Sequence, residues 1–177
     1  PFIPVRSNSF AKKNISLLIK AFSLYKEKNK NSEEKLILVG NIGFGYDEIK
    51  YMISEYDLFN DIVMLGWIDE KDMPYIFSGA KAFVFPSLYE GFGIPILQAM
   101  ACGVPVIASD IDVLREVGGD SPLFFNPRDE NDLCSKMELV IKDEEMTKKM
   151  VSNGFARSKN FSWRKCAEET LREIKSL

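Results

Sequence analysis

The chain has 177 residues, 46% hydrophobic and 28% charged, which suits one large domain or two small ones with an ordinary globular core. Its 23 basic and 26 acidic side chains leave a formal charge of −3, so no net basic field invites nucleic acid as a partner. The apolar runs are far shorter than a bilayer needs, and the amino terminus lacks the basic-then-apolar layout of a signal peptide, so the expected location is cytoplasmic. Along the chain, Phe2 to Val5 reads as a weak first strand. Ile15, Leu18, Ile19, Phe22 and Tyr25 then recur at helical spacing until Asn29-Lys30-Asn31-Ser32 ends the helix. Leu36 to Val39 is a second strand, Asp47 to Tyr56 a helix and Ile62 to Leu65 a third strand. Asp69 to Phe77 reads as a helix with Asp69 as N-cap. Ala82 to Phe85 is a buried strand, Ile94 to Ala101 a helix and Val104 to Ala108 a strand. A short helix near Val113, a strand at Leu123-Phe124-Phe125 and a helical carboxyl-terminal third complete the chain. Such βα alternation implies an α/β fold with a parallel sheet, helices on both faces and right-handed crossovers.

The segment from Tyr89 to Ile107 carries the chemistry. Pro86-Ser87 breaks the strand at Phe85, so Glu90 lands just beyond a strand's carboxyl end, where open α/β sheets bind ligands. Gly91 and Gly93 let the backbone turn tightly and approach a ligand. The helix opening at Ile94-Pro95 offers unpaired N–H groups and a positive dipole end to an anion. Lys12-Lys13, before the first helix, reads either as a solvated pair or as cations facing the same ligand.

The run Glu90 to Val106 resembles the signature of the retaining GT-B glycosyltransferases of group 1 (family 4), Glu-Gly-Phe-Gly-hydrophobic-Pro-x-x-Glu-Ala-Met-Ala-x-Gly-x-Pro-Val, and departs from it at Gln98. Val39-Gly40, Leu65-Gly66-Trp67, Pro86-Ser87-Leu88-Tyr89, Glu116-Val117-Gly118-Gly119-Asp120 and Phe161-Ser162-Trp163 also follow the family's order. The resemblance spans nearly the whole chain but only the carboxyl-terminal half of such an enzyme. It implies that residues 1–177 are a single Rossmann-like donor-binding domain, without the amino-terminal acceptor domain that usually supplies a histidine; this sequence has none. It implies a nucleoside-diphosphate sugar as substrate, retention of anomeric configuration, no metal or other cofactor, and bacterial polysaccharide or glycolipid products. Association with the inner face of a membrane would run through the missing half.

The resemblance also places residues. Glu90 is implied as the catalytic carboxylate near the sugar ring, with Phe92, Gly93 and Ile94 as backbone donors to sugar or phosphate. Gln98 stands where a second glutamate grips the ribose diol, and an amide there loses charge assistance worth on the order of 1 kcal/mol. Gly40 is expected close to the nucleotide, and Gly66 and Trp67 near the base, although Trp67 reads equally well as core. Lys13 is expected at the diphosphate. Asn8 and Ser7 occupy the positions of the family's Arg and Gly, and Arg6 is a substitute for the former.

Other features read more blandly. Gly40 to Gly45 has the look of a dinucleotide fingerprint but follows the second strand, whereas a Rossmann pyrophosphate loop follows the first. Asp110-Ile111-Asp112 spells D-x-D, yet its position before a short helix favours a cap or turn over a metal site. Cys102, Cys134 and Cys166 are widely spaced, which argues against a disulfide framework and a zinc cluster, and each is expected to be a small buried hydrophobe. Ser162 is a good N-cap for a last helix whose stripe of Trp163, Cys166, Ala167, Thr170, Leu171 and Ile174 normally packs on core. In the family that helix crosses onto the amino-terminal domain, so without it the stripe is expected to be exposed and to promote self-association. Two other classes stay open: a nucleotide-sugar binding or regulatory module without catalysis, and a dinucleotide-binding oxidoreductase domain.

Overall fold

The structure is a computed structural model that describes residues 2–4, 13–40 and 45–176. Its elements in chain order are β1 (Phe2–Pro4), α1 (Ile15–Lys28), β2 (Leu36–Val39), α2 (Tyr46–Glu55), β3 (Ile62–Gly66), α3 (Met73–Ser78) and β4 (Ala82–Phe85). There follow α4 (Ile94–Ala101), β5 (Val106–Ser109), α5 (Asp112–Gly118), β6 (Leu123–Phe125), α6 (Glu130–Lys142), α7 (Glu144–Ser158) and α8 (Trp163–Ser176). All strands are parallel, in the order β3-β2-β1-β4-β5-β6. The order reverses direction between β1 and β4, and a ligand crevice opens at such a switch point.

At β4 and β5 both sheet faces are covered, because consecutive strand residues point to opposite sides and both sets are apolar. Ala82 and Val84 of β4 and Ile107 of β5 join α1, α2 and α6 in one core, where Leu18, Ile19 and Phe22 are fully buried. Phe83 and Phe85, with Val106 and Ala108, face α3, α4 and α5 in the other. Close helix packing beneath the second core needs Gly154 of α7, where a Cβ would sit 3.0 Å from Met100 Cγ of α4.

Two sequence expectations need correction. The third helix begins at Met73, four residues after Asp69. Asp69 instead closes a turn, its carboxylate accepting from Lys71 N at 3.2 Å and its carbonyl from Asp72 N at 3.0 Å. Pro74 forces this, since proline is tolerated only in a helix's first turn. Among the cysteines Cys134 alone is buried; Cys102 is half-buried, with burial pushing its thiol up, and Cys166 is exposed. The stripe of α8 is exposed, as expected for this domain by itself: no residue of the helix is buried, and Trp163 is 79% exposed. Ser162 does cap it, accepting from Lys165 N at 3.1 Å.

Candidate functional site at the sheet switch point

Lys13 follows β1 and Glu90 follows β4, the two strands that flank the reversal. They are 77 residues apart in sequence, yet the Lys13 ammonium donates to Glu90 Oε1. Both are largely withdrawn from water, their side chains 18% and 15% exposed. The Lys13 ammonium also lies 5.0 Å from the Phe85 ring centroid, so β4 buttresses it from below. The solvated-pair reading of Lys13 therefore fails. A residue that the sequence left unremarked sets this geometry. Asn14 adopts a left-handed backbone (φ 54°) before α1, and its Nδ2 donates to Pro127 O at 2.8 Å across the β6–α6 loop. Asparagine tolerates that conformation, and its place between a lysine and an uncapped helix was the available signal.

The glycine loop meets the same crevice. Gly93 is the N-cap residue of α4 at φ 100°, and Pro95 stands in the first turn. No backbone hydrogen bond among the described residues engages the N–H groups of Phe92, Gly93 or Ile94. They are thus open to an acceptor, backed by the helix dipole. Leu114 of α5, missed by sequence reading, packs so closely that a Cβ on Gly93 would lie 2.6 Å from its Cδ2. Phe92 and Ile94 are exposed, and Gln98, one turn beyond Ile94 on the same face, is exposed as well.

A third component lies at the carboxyl ends of β2 and β3. Gly40 N donates to Gly66 O at 2.8 Å, closing the strand ends above a pocket of about 180 Å³ lined by Leu38, Val39, Gly40, Tyr46, Met64, Leu65 and Gly66. Gly66 is left-handed (φ 70°), and a Cβ there would meet nothing within 4 Å, so its backbone faces open space. Trp67 is 55% exposed, which corrects its reading as core. The crevice thus combines a lysine, unpaired N–H groups and a carboxylate with an adjoining apolar-walled pocket, a set suited to an anion that carries a flat ring.

The D-x-D pair stands apart from this constellation. Asp110 is committed to Arg115, whose Nη2 donates to Asp110 Oδ2 at 2.6 Å while Nε donates to Oδ1. That guanidinium holds the carboxyl below its ordinary range. Asp112 sits in the first turn of α5 and Ile111 in the cap position, so the D-x-D pair acts as local helix chemistry. Asn8, with Arg6 and Ser7, lies outside the described residues, as do Asn41 to Phe44 of the glycine-containing loop after β2.

Residues 1–157 match the family model of the glycosyl transferases of group 1. The chain belongs to that family. Among curated relatives it is 35% identical over 166 residues to O-antigen chain mannosyltransferase B of Escherichia coli, covering 94% of this chain and 43% of the relative. This group 1 chain thus spans less than half that relative's length. A solved structure of Anabaena Alr3699/HepE in complex with UDP and glucose superposes with a TM-score of 0.87 at 25% identity, over 99% of this chain and 48% of that one. The carboxyl-terminal domain of a group 1 glycosyl transferase from Francisella tularensis shares the fold at 22% identity, with a TM-score of 0.78 over 90% of this chain and 84% of that one. No helix among the described residues is long and apolar enough to cross a membrane.

Proposed function

We propose that this group 1 chain is the donor-binding half of a glycosyltransferase that moves a sugar from a nucleoside diphosphate to an acceptor hydroxyl with retention of configuration. The observation that carries it is the convergence of Lys13, Glu90 and the open N–H groups of Phe92, Gly93 and Ile94 at the switch point. In this reading the bond from the anomeric carbon to the phosphate oxygen breaks, and the nucleoside diphosphate leaves with its electrons. Lys13 and the α4 end stabilise the charge that develops, where such groups act most strongly. Asn8 would approach the same diphosphate. Glu90 serves as the catalytic carboxylate beside the sugar. Gly40, Gly66 and Trp67 border the pocket for the base, and Gln98 contacts the ribose diol. The reading calls for no metal or other cofactor, because Lys13 and the helix end supply the positive potential.

The name of the E. coli relative favours a mannosyl donor and a cell-surface polysaccharide product. The acceptor site then belongs to an amino-terminal half outside residues 1–177, and the exposed stripe of α8 docks there. In the isolated chain the same stripe drives self-association. We place the enzyme in the cytoplasm, at the inner face of the membrane. One observation favours a binding module without catalysis: Gln98 where the family has a glutamate.

Calorimetric titration of the complete protein with GDP, UDP and ADP, followed by transfer assays with GDP-mannose and UDP-glucose, separates the readings. One nucleotide should bind, roughly tenfold more weakly in Lys13→Ala through loss of a charge-assisted contact and more tightly in Gln98→Glu. Glu90→Ala should retain nucleotide binding and lose transfer. Tight binding without transfer by the wild type would establish the module. A folded protein that binds none of the three at millimolar concentration would refute both.

A further inference from the structure

The Gly91-Phe92-Gly93 loop is built from residues that hold shape poorly. Glycines on both sides of Phe92 leave its backbone free to turn, and a Cβ on Gly91 would meet nothing within 4 Å. Yet three N–H groups must point in fixed directions if they are to act without reorganising. The loop therefore needs support from outside. Leu114 of α5 gives it on one side, at Gly93. On the other side Phe92 meets the ring of Phe161 edge to face, with centroids 5.9 Å apart and planes at 79°.

Phe161 is itself anchored. The Arg157 guanidinium carbon lies 5.0 Å from the Phe161 ring centroid. The same guanidinium donates from Nε to Val117 O at 3.0 Å and from Nη2 to Glu116 O at 2.5 Å. Those carbonyls close α5, the helix that also supplies Leu114, so one element holds the loop from both flanks. Phe92 remains 45% exposed, so the ring pair buries little of it; the contact constrains direction more than it adds stability.

We propose that Phe161, fixed by Arg157, is a positioning residue for the donor loop: its ring orients Phe92 and, through it, the N–H groups that face the donor. Phe161 stands in the connection between α7 and α8, immediately before Ser162, which caps α8. The placement of α8 is therefore coupled to the geometry of the loop, and a shift of that helix loosens or tightens donor binding. This inference rests on the donor-site reading, so its test includes a readout that does not.

In the complete protein, backbone amide order parameters of Phe92 and Gly93 are measured by NMR, alongside donor and acceptor KM, for Phe161→Ala, Phe161→Tyr and Arg157→Lys. Phe161→Ala should lower the order parameters from about 0.85 to below about 0.6. It should also raise donor KM roughly tenfold, the scale of one aromatic pair, with acceptor KM unchanged. Phe161→Tyr keeps the ring edge and should restore both, while Arg157→Lys falls between. Should the alanine variant not fold, Phe161→Leu keeps most of the volume without the ring and carries the same expectation. Unchanged order parameters in a folded variant without the ring would overturn the proposal. So would an unchanged donor KM in an active one, or a loss that the tyrosine fails to restore. If the wild type transfers no sugar, the order parameters alone decide this inference, and nucleotide binding decides the donor reading separately.

Discussion

Replacing Gly93 by alanine adds one methyl group at the point where the loop, α4 and α5 meet, and the structure separates two costs. The first is local: an L-residue at φ 100° occupies the left-handed side of the map, at about 1–2 kcal/mol. The second is contact: the new Cβ would lie 2.6 Å from Leu114 Cδ2, and Leu114 is fully buried. Overpacking of this kind costs about 1–3 kcal/mol. Together they predict a loss of about 2–5 kcal/mol in equilibrium urea unfolding. Leu114→Ala alone should cost about 2–5 kcal/mol through its cavity. The double variant discriminates, because truncating Leu114 removes the clashing atom and makes room for the new methyl. It should be more stable than the sum of the single losses predicts, by about 1–3 kcal/mol, while the backbone cost remains. Additivity within about 0.5 kcal/mol would refute the steric argument and leave strain alone as the reason for glycine.

Asn14→Gly keeps the left-handed turn and loses the bond to Pro127 O, so thermal unfolding should report a loss of about 0.5–1.5 kcal/mol. Asn14→Val adds a β-branched side chain at a positive φ and should cost more. It should also weaken nucleotide binding beyond the glycine variant, because Lys13 shifts. Glu34 gives an acid-stability prediction. Its hydrogen bonds with Lys81 and Ser32 hold the carboxyl near a pKa of about 2, against 4.5 ordinarily. Between those values the unfolded chain binds the extra proton, so the stabilisation is complete above pH 4.5 and is lost as pH falls toward about 2. Lys81 is 54% exposed, and with that screening the contribution comes to about 1–2 kcal/mol. Glu34→Gln should remove this part of the acid limb in pH-dependent urea unfolding; an unchanged limb would contradict the assignment.

Local signals made much of the fold legible. Four-residue apolar runs bounded by breakers announced β2 and β4, because a strand covered on both faces needs apolar side chains at every position. Gly93-Ile94-Pro95 announced the start of α4, because glycine suits the left-handed cap and proline the first turn. The third helix was misplaced for a reason equally local: Asp69 looks like a cap, but Pro74 marks the true first turn. For α8 the periodicity correctly described an amphipathic helix and could not say what covers it. Helical spacing records only that one face is apolar.

By itself the sequence determined the βα order, the cradle from Glu90 to Val106 and the residue types that face an anion, since these follow from spacing and backbone preference over a few residues. Tertiary structure decided which of them meet. Lys13 and Glu90 stand 77 residues apart and touch because β1 lies beside β4, where the strand order reverses. Phe161 supports Phe92 because Arg157 of α7 reaches the carboxyl end of α5. No local preference encodes either neighbour: strand order comes from burying both faces of the sheet at once, a property of the whole chain.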